Sequence, residues 1–251
     1  MHQKLFRNLS KLALLLAATL LFVAYVLPVS ARDLEACVLS EAMSDTFAGE
    51  TLGDKWNLYR PEAVSLVVEN DQLVLTAVEE SVWYHGDRAF MAYQEVTGDV
   101  SLTTPAYARR ASDSSQPPDQ EYQYGGLMLR DPASEQGEEN YVFVVVGVRK
   151  PDGLLNVEYK TTQDGKSKVK FVDWSSGDAE LRIDRAGSEV TVSARELGEE
   201  SWQVLTTYQR PDLPDTLQAG IITYAYSEGK GIYDLQMAFD GIDYWDCAAA
   251  E

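Results

Sequence analysis

Histidine is nearly missing from this chain. There are two in 251 residues, and His2 falls among the first few. A Ser-His-Asp triad would have to use His85, and a histidine-rich zinc site is excluded. Cysteine is as scarce: Cys37 and Cys247 stand at opposite ends, so no cysteine pair has metal-ligand spacing. There is no Gly-x-Ser-x-Gly elbow and no phosphate-binding glycine loop. Basic residues are few, 21 against 40 acidic ones, for a net charge of −19. A domain this acidic repels phosphate backbones and anionic lipid surfaces, so nucleic acid is excluded as a partner. Helical periodicity is also almost absent after residue 31.

The N-terminus is of another kind. Lys4, Arg7 and Lys11 precede an apolar run from Leu12 to Leu27, and Pro28-Val-Ser-Ala31 follows. Residues 1–31 read as a signal peptide cleaved after Ala31. The run is short of the ~20 residues that span a bilayer; a retained anchor is the alternative and would be the only tie to a membrane. Cleavage takes three of the 21 basic residues and no acidic one, moving the net charge from −19 to −22. The protein is therefore expected to be exported: secreted, periplasmic or in a cell envelope. In such a compartment Cys37 and Cys247 are expected to form a disulfide joining the first segment of the mature chain to the last. Two free thiols near the termini are the alternative.

What the chain does contain is short alternating runs between turn residues. Val64–Val68 and Leu73–Val78 flank Glu69-Asn-Asp-Gln72. The valine-rich Tyr141–Val148 precedes Pro151-Asp-Gly153, and Gln163-Asp-Gly-Lys166 and Ala186-Gly-Ser188 mark two further turns. Eleven or twelve strands at this spacing predict an all-β sandwich. The polar stretches Arg109–Gln120 and Ser134–Asn140 read as loops within it. The expected organisation is a lead-in over 32–44, one sandwich domain over 45–246 and a tail over 247–251.

One stretch is unusual for a strand: Tyr122-Gln-Tyr-Gly-Gly-Leu-Met-Leu-Arg-Asp-Pro132. A glycine pair in a strand permits a bulge or a close backbone approach. Alternation places Leu127 and Leu129 in the core, with Gly126, Met128 and Arg130 on the other face. Arg130 has two readings, a brace paired with a carboxylate or a donor to a ligand.

Taken in order, Asp45-Thr-Phe47, Leu52-Gly-Asp-Lys-Trp56, Gly125-Gly-Leu-Met-Leu-Arg130, Leu181-Arg-Ile-Asp-Arg-Ala-Gly187 and Phe239-Asp-Gly-Ile242 resemble the concanavalin A-like lectin/glucanase superfamily. The nearest likeness is to its laminin-G-like jelly-roll branch, in secreted bacterial domains. The resemblance implies a jelly roll of two packed antiparallel sheets, one face of which is concave. It implies nothing firm about activity, because the superfamily holds lectins, glycosidases, adhesive modules and scaffolds. Its glucanases carry catalytic carboxylates on one strand as a Glu-x-Asp-x-x-Glu-like run, and this chain has none. Relatives often hold a structural calcium ion; here no Asp-x-Asp-x-Asp-Gly loop supports one. No cofactor is expected.

The candidate ligand residues are aromatic and polar groups that can meet a sugar. Trp83-Tyr-His85-Gly-Asp-Arg88 offers a ring, hydrogen-bonding groups and a glycine turn, although Trp83 can equally be core. Tyr124, Tyr224 and Tyr226 can form a stacking surface or cross-strand packing. With Trp83, His85 and Arg130, they form the expected site. Trp56 and Trp174 are assigned to core or rim packing. The expected function is an exported, non-catalytic module that binds a glycan or polysaccharide on the concave sheet face. The alternatives are a glycoside hydrolase or lyase with an unrecognised site, and a structural or protein-interaction domain of the envelope.

Overall fold

The computed structural model describes residues 37–150 and 154–247. The expected signal peptide, the first part of the lead-in and the last four residues of the tail lie outside them. In chain order the strands are β1 Val38–Leu39, β2 Asn57–Tyr59, β3 Val64–Glu69, β4 Gln72–Ala77, β5 Phe90–Thr97, β6 Val100–Arg109, β7 Gln123–Arg130 and β8 Tyr141–Val148. They continue as β9 Leu155–Gln163, β10 Lys166–Asp173, β11 Asp178–Ala186, β12 Glu189–Arg195, β13 Gln203–Gln209, β14 Thr216–Ala225, β15 Gln236–Phe239 and β16 Asp243–Asp246. The helical content of the described residues is a single 3-10 turn at Pro61–Ala63.

These strands form two antiparallel sheets. One runs β10-β9-β8-β7-β14-β5-β2. The other runs β13-β12-β11-β6-β15-β4-β3, with β16 also on β6 and β1 on β16. The turn chemistry explains the hairpins. Asn70 and Asp71 both take positive φ (52° and 58°) between β3 and β4, as a two-residue turn matched to strand twist requires. The sequence reading missed β1, β2 and β16, which are two to four residues long. Between the long strands β5 and β6 the chain turns at Gly98-Asp99, where Gly98 takes positive φ.

The sheets stack through a core that includes Leu127, Leu129, Val142, Val144 and Val146 from one, and Leu73, Leu75, Leu102, Leu181 and Ile183 from the other. Burying each such side chain stabilises by roughly 1.5–3 kcal/mol before conformational entropy is counted. The leucines of β7 face this core as expected, and Met128 and Arg130 lie on the opposite face. Gly126 departs from the alternation. A Cβ there would run into the Val144 carbonyl of β8 and come within 2.6 Å of the core side chain of Leu181. At Gly125 it would stand 2.6 Å from Met237 of the other sheet. The glycine pair lets the two sheets and the neighbouring strand close on β7.

The outer face of the seven-stranded sheet carries a second apolar cluster containing Trp83, Met91, Tyr124, Met128, Tyr141, Phe143, Ile222 and Tyr224. A sheet face exposed to water would be polar. This one is apolar because the segment between β4 and β5 folds over it.

Candidate functional site

Strand β9 supplies the centre of that outer face. Its alternation sends Asn156, Glu158, Lys160 and Thr162 the same way. Register sets Glu158 between Val145 of β8 and Phe171 of β10, and Lys160 between Phe143 and Val169. Both charged side chains are almost wholly buried. The Lys160 ammonium lies 2.8 Å from Glu158 Oε1 and donates to the Trp83 carbonyl at 2.7 Å. It also sits 4.6 Å from the Phe143 ring centroid and 5.1 Å from that of Tyr84, where ring faces attract a cation. Burial pulls the Lys160 pKa below the ordinary lysine value, and the Glu158 charge opposes that pull.

Above this pair opens a cavity of about 370 Å³. Its rings are Tyr84, Tyr122, Phe171, Tyr224 and Tyr226, with Glu158 and Lys160 among its lining residues. Asp87, Arg149 and Glu228 complete the polar lining, and Arg149 stacks 4.4 Å over Phe171. The Tyr224 Oη is buried, with the Glu158 carboxylate as its neighbouring acceptor. Desolvation, then the nearby Glu158 charge, pushes its pKa well above the usual phenol value. A second cavity of about 400 Å³ adjoins the first and shares Val82, Asp87 and Tyr226 with it.

The segment over the face is fixed by a separate polar network. Glu139, fully buried, pairs with Arg130 at 2.8 Å and with Arg88. Arg130 also donates to Gln218 Oε1 at 2.6 Å, and Arg88 to the Tyr59 hydroxyl at 2.7 Å. Together the two arginines and Glu139 tie the β4–β5 and β7–β8 connections to the sheet. At the far end the His85 backbone N–H donates to Ser167 Oγ at 2.8 Å, pinning the segment to β10.

The six residues expected to meet a ligand thus occupy one side of the molecule in different layers. Trp83 is fully buried and donates from Nε1 to the Phe90 carbonyl at 3.2 Å. Tyr124 is buried and donates to Asn156 Oδ1 at 2.6 Å. Arg130 is the brace. His85 is exposed and clamps the segment to the β9–β10 hairpin. Tyr224 and Tyr226 reach the cavity. Of the tyrosine pair before the glycines, Tyr122 reaches it, 6.4 Å from Tyr226 centroid to centroid, while Tyr124 packs beneath on Tyr224. Glu158, Lys160, Tyr84 and Phe171 were not among the expected residues. The available signal was the polar series Asn156-x-Glu158-x-Lys160-x-Thr162 in a strand next to a valine-rich partner.

Among the described residues, no group of three or more His, Cys, Asp or Glu side chains could hold a metal ion. The expected disulfide is present: Cys37 and Cys247 are bonded, with Cα atoms 4.3 Å apart.

Two stacked antiparallel sheets of this order define a concanavalin A-like β-sandwich. Solved structures share the fold at low identity. The GH43 BlXynB protein from Bacillus licheniformis matches at TM-score 0.61 and 15% identity over 82% of this chain, which corresponds to 39% of that protein. Lectin I-B4 from Griffonia simplicifolia matches at TM-score 0.54 and 13% identity, over 80% of this chain and 98% of the lectin. The exoplasmic/lumenal domain of VIP36, solved with Ca²⁺ and Man2 bound, matches at 0.55 and 11%, over 85% and 91%. No family model and no curated protein matches the chain.

Proposed function

We propose that this protein is an exported, non-catalytic carbohydrate-binding domain whose site is the aromatic cavity on the outer face of the seven-stranded sheet. The observation that carries the reading is the cavity's composition: five rings around a buried Glu158–Lys160 pair, with the buried Tyr224 hydroxyl beside it. Rings cover the apolar face of a pyranose, while a few fixed polar groups orient its hydroxyls. The Tyr224 hydroxyl can exchange hydrogen bonds with a sugar hydroxyl. Trp83, Tyr124, His85 and Arg130 act one layer back, holding the rings in place. Two of the structurally similar proteins, the Griffonia lectin and VIP36 in its Man2-bound form, are in keeping with a sugar ligand. The disulfide accords with export, residues 1–31 being the signal peptide.

Thermal unfolding against a panel of soluble oligosaccharides tests this. A sugar that binds only the folded state stabilises it by about 2.7 kcal/mol at a hundredfold excess over its Kd. The expected result is a raised midpoint with one sugar class, lost in Tyr226→Ala. No shift with any sugar, for folded protein, removes the reading.

Hydrolysis is the second reading, favoured by one observation: Asp87, Glu158 and Glu228 all line the cavity, and glycosidases need two facing carboxylates. Against it, Glu158 is committed to Lys160, and the likeness to the GH43 protein spans only 39% of that chain. Release of reducing ends from a bound oligosaccharide would decide for it.

A further inference from the structure

The charges around the two cavities are not balanced once their partners are counted. Lys160 is neutralised by Glu158 at 2.8 Å. In the second cavity Arg60 pairs with Glu62 and Glu79, and Arg88 with Glu139. Glu80 is occupied by Ser227 Oγ and by the N–H groups of Gly229 and Gly231 at 2.9 and 2.6 Å. Asp87 and Glu228 remain, both exposed and without an ion pair or side-chain hydrogen bond among the described residues; Lys230, two residues from Glu228, is paired with Glu121 and acts on Glu228 only through its charge, and Asp87 stands on the wall that the two cavities share. Among the described residues that line the cavities, Arg149, stacked on Phe171, is the cation without a carboxylate partner.

The rings bias the site the same way. Ring faces attract cations, and this site already holds one, the Lys160 ammonium over Tyr84, Phe143 and Tyr224. The buried Tyr224 hydroxyl has the Glu158 carboxylate as its acceptor and no donor to its own lone pairs among the described residues, so a ligand N–H or O–H can complete a hydrogen bond there. The chain as a whole carries −19, so its field draws cations in and keeps polyanions out.

We infer that the ligand is a glycan bearing free primary amines, an amino-sugar oligosaccharide, with an ammonium group held by Asp87 and Glu228 and its ring against the tyrosines. The inference rests on the carbohydrate-binding reading above and narrows it. An unsubstituted hexose would meet the rings but leave both carboxylates unused. A uronate would face them with like charge, offset only in part by Arg149.

Calorimetric titration of the oxidised mature protein tests it with four probes: a glucosamine tetramer, its N-acetylated counterpart, cellotetraose and a galacturonic acid tetramer. The glucosamine tetramer is expected to bind about tenfold more tightly than the two neutral chains at low salt, with the uronate weakest. In Asp87→Asn/Glu228→Gln, near-isosteric changes at exposed positions, the preference should fall to less than about threefold while neutral binding persists. Equal affinity for aminated and neutral chains overturns the inference and leaves the carbohydrate reading standing. Failure of all four to bind overturns the inference, and the oligosaccharide panel above decides the carbohydrate reading. Tetralysine serves as the control for bare charge: if it binds as tightly as the glucosamine tetramer, and Tyr226→Ala changes neither, the attraction is unspecific and the inference fails.

Discussion

The Lys160 ammonium lies 2.8 Å from the carboxylate of Glu158, two residues earlier on the same strand, and both side chains are almost wholly removed from water. Either charge alone at this depth costs several kcal/mol, which only a partner and good hydrogen bonds offset. Here the Trp83 carbonyl and three aromatic rings add to the carboxylate. Glu158→Gln or Lys160→Met alone should therefore lower the unfolding free energy by about 3–5 kcal/mol. The double variant should lose clearly less than the two losses combined, because it strands no charge. Denaturant unfolding of the four proteins measures this, and simple additivity would mean that the two groups do not act as a pair.

The buried tyrosines set the alkaline limit. Tyr124, Tyr141, Tyr224 and Tyr244 have folded pKa values raised above the ordinary phenol value of 10.0, in each case chiefly by desolvation. Their contribution is fully present below pH 10 and declines above it, where the unfolded chain has released protons that the folded chain still holds. Each such group gives a slope of about 1.4 kcal/mol per pH unit. Lys160 has the opposite sign: its folded pKa is depressed, so its contribution grows with pH up to the ordinary lysine value of 10.5. The expected result is steep loss of stability above pH 10, with tyrosinate absorbance from these residues appearing only as the structure melts. Ionisation of every tyrosine from Tyr59 to Tyr244 with an ordinary midpoint in the intact fold would contradict this.

Much of this fold could be read along the chain because its signals are local. Asn70-Asp71 turns a hairpin by itself, and the Tyr141–Val148 run is buried on both faces, as its unbroken apolar character implies. Strands β2 and β16 have no such signal: three or four residues cannot show a period. The site was half legible. Tyr224 and Tyr226 stand out by alternation, but Glu-x-Lys in an antiparallel strand looks like a solvated face. It is buried because the Trp83 segment lies over it, and the contacts fixing that segment link residues 77 and 82 apart in sequence. Arg130 illustrates the same limit. Its place on the outer face with Met128 follows from alternation, whereas its partners Glu139 and Gln218 follow only from the fold.

The glycine pair gives a sharp comparison. Gly126→Ala should destabilise by at least about 1–3 kcal/mol, since the new methyl meets backbone of β8, which cannot swing aside. Gly53→Ala, where nothing lies within 4 Å, should stay within about 0.5 kcal/mol of the parent. At Gly125 the obstacle is the flexible side chain of Met237, so Gly125→Ala should fall between them. Thermal midpoints of the three variants test that order.

The disulfide closes almost the whole described chain. Cys37 and Cys247 are 210 residues apart, and a chain-entropy estimate for so long a loop reaches about 5 kcal/mol. Less should be observed. Without the bond, β1 is held to β16 by a register of only two residue pairs, Val38 with Asp246 and Leu39 with Trp245. Such a short edge pairing can fray before the sandwich melts, so part of the stabilisation belongs to β1 alone. Cys37→Ser/Cys247→Ser is expected to lose about 2–4 kcal/mol of global stability, with amide exchange rising first at β1 and β16. The cavity lies on the other sheet, so the variant's affinity for any ligand of that cavity should be unchanged. Full retention of stability would show that the pairing of β1 with β16 alone fixes the terminus. Loss of ligand affinity would show that the two sheets are coupled through their shared core.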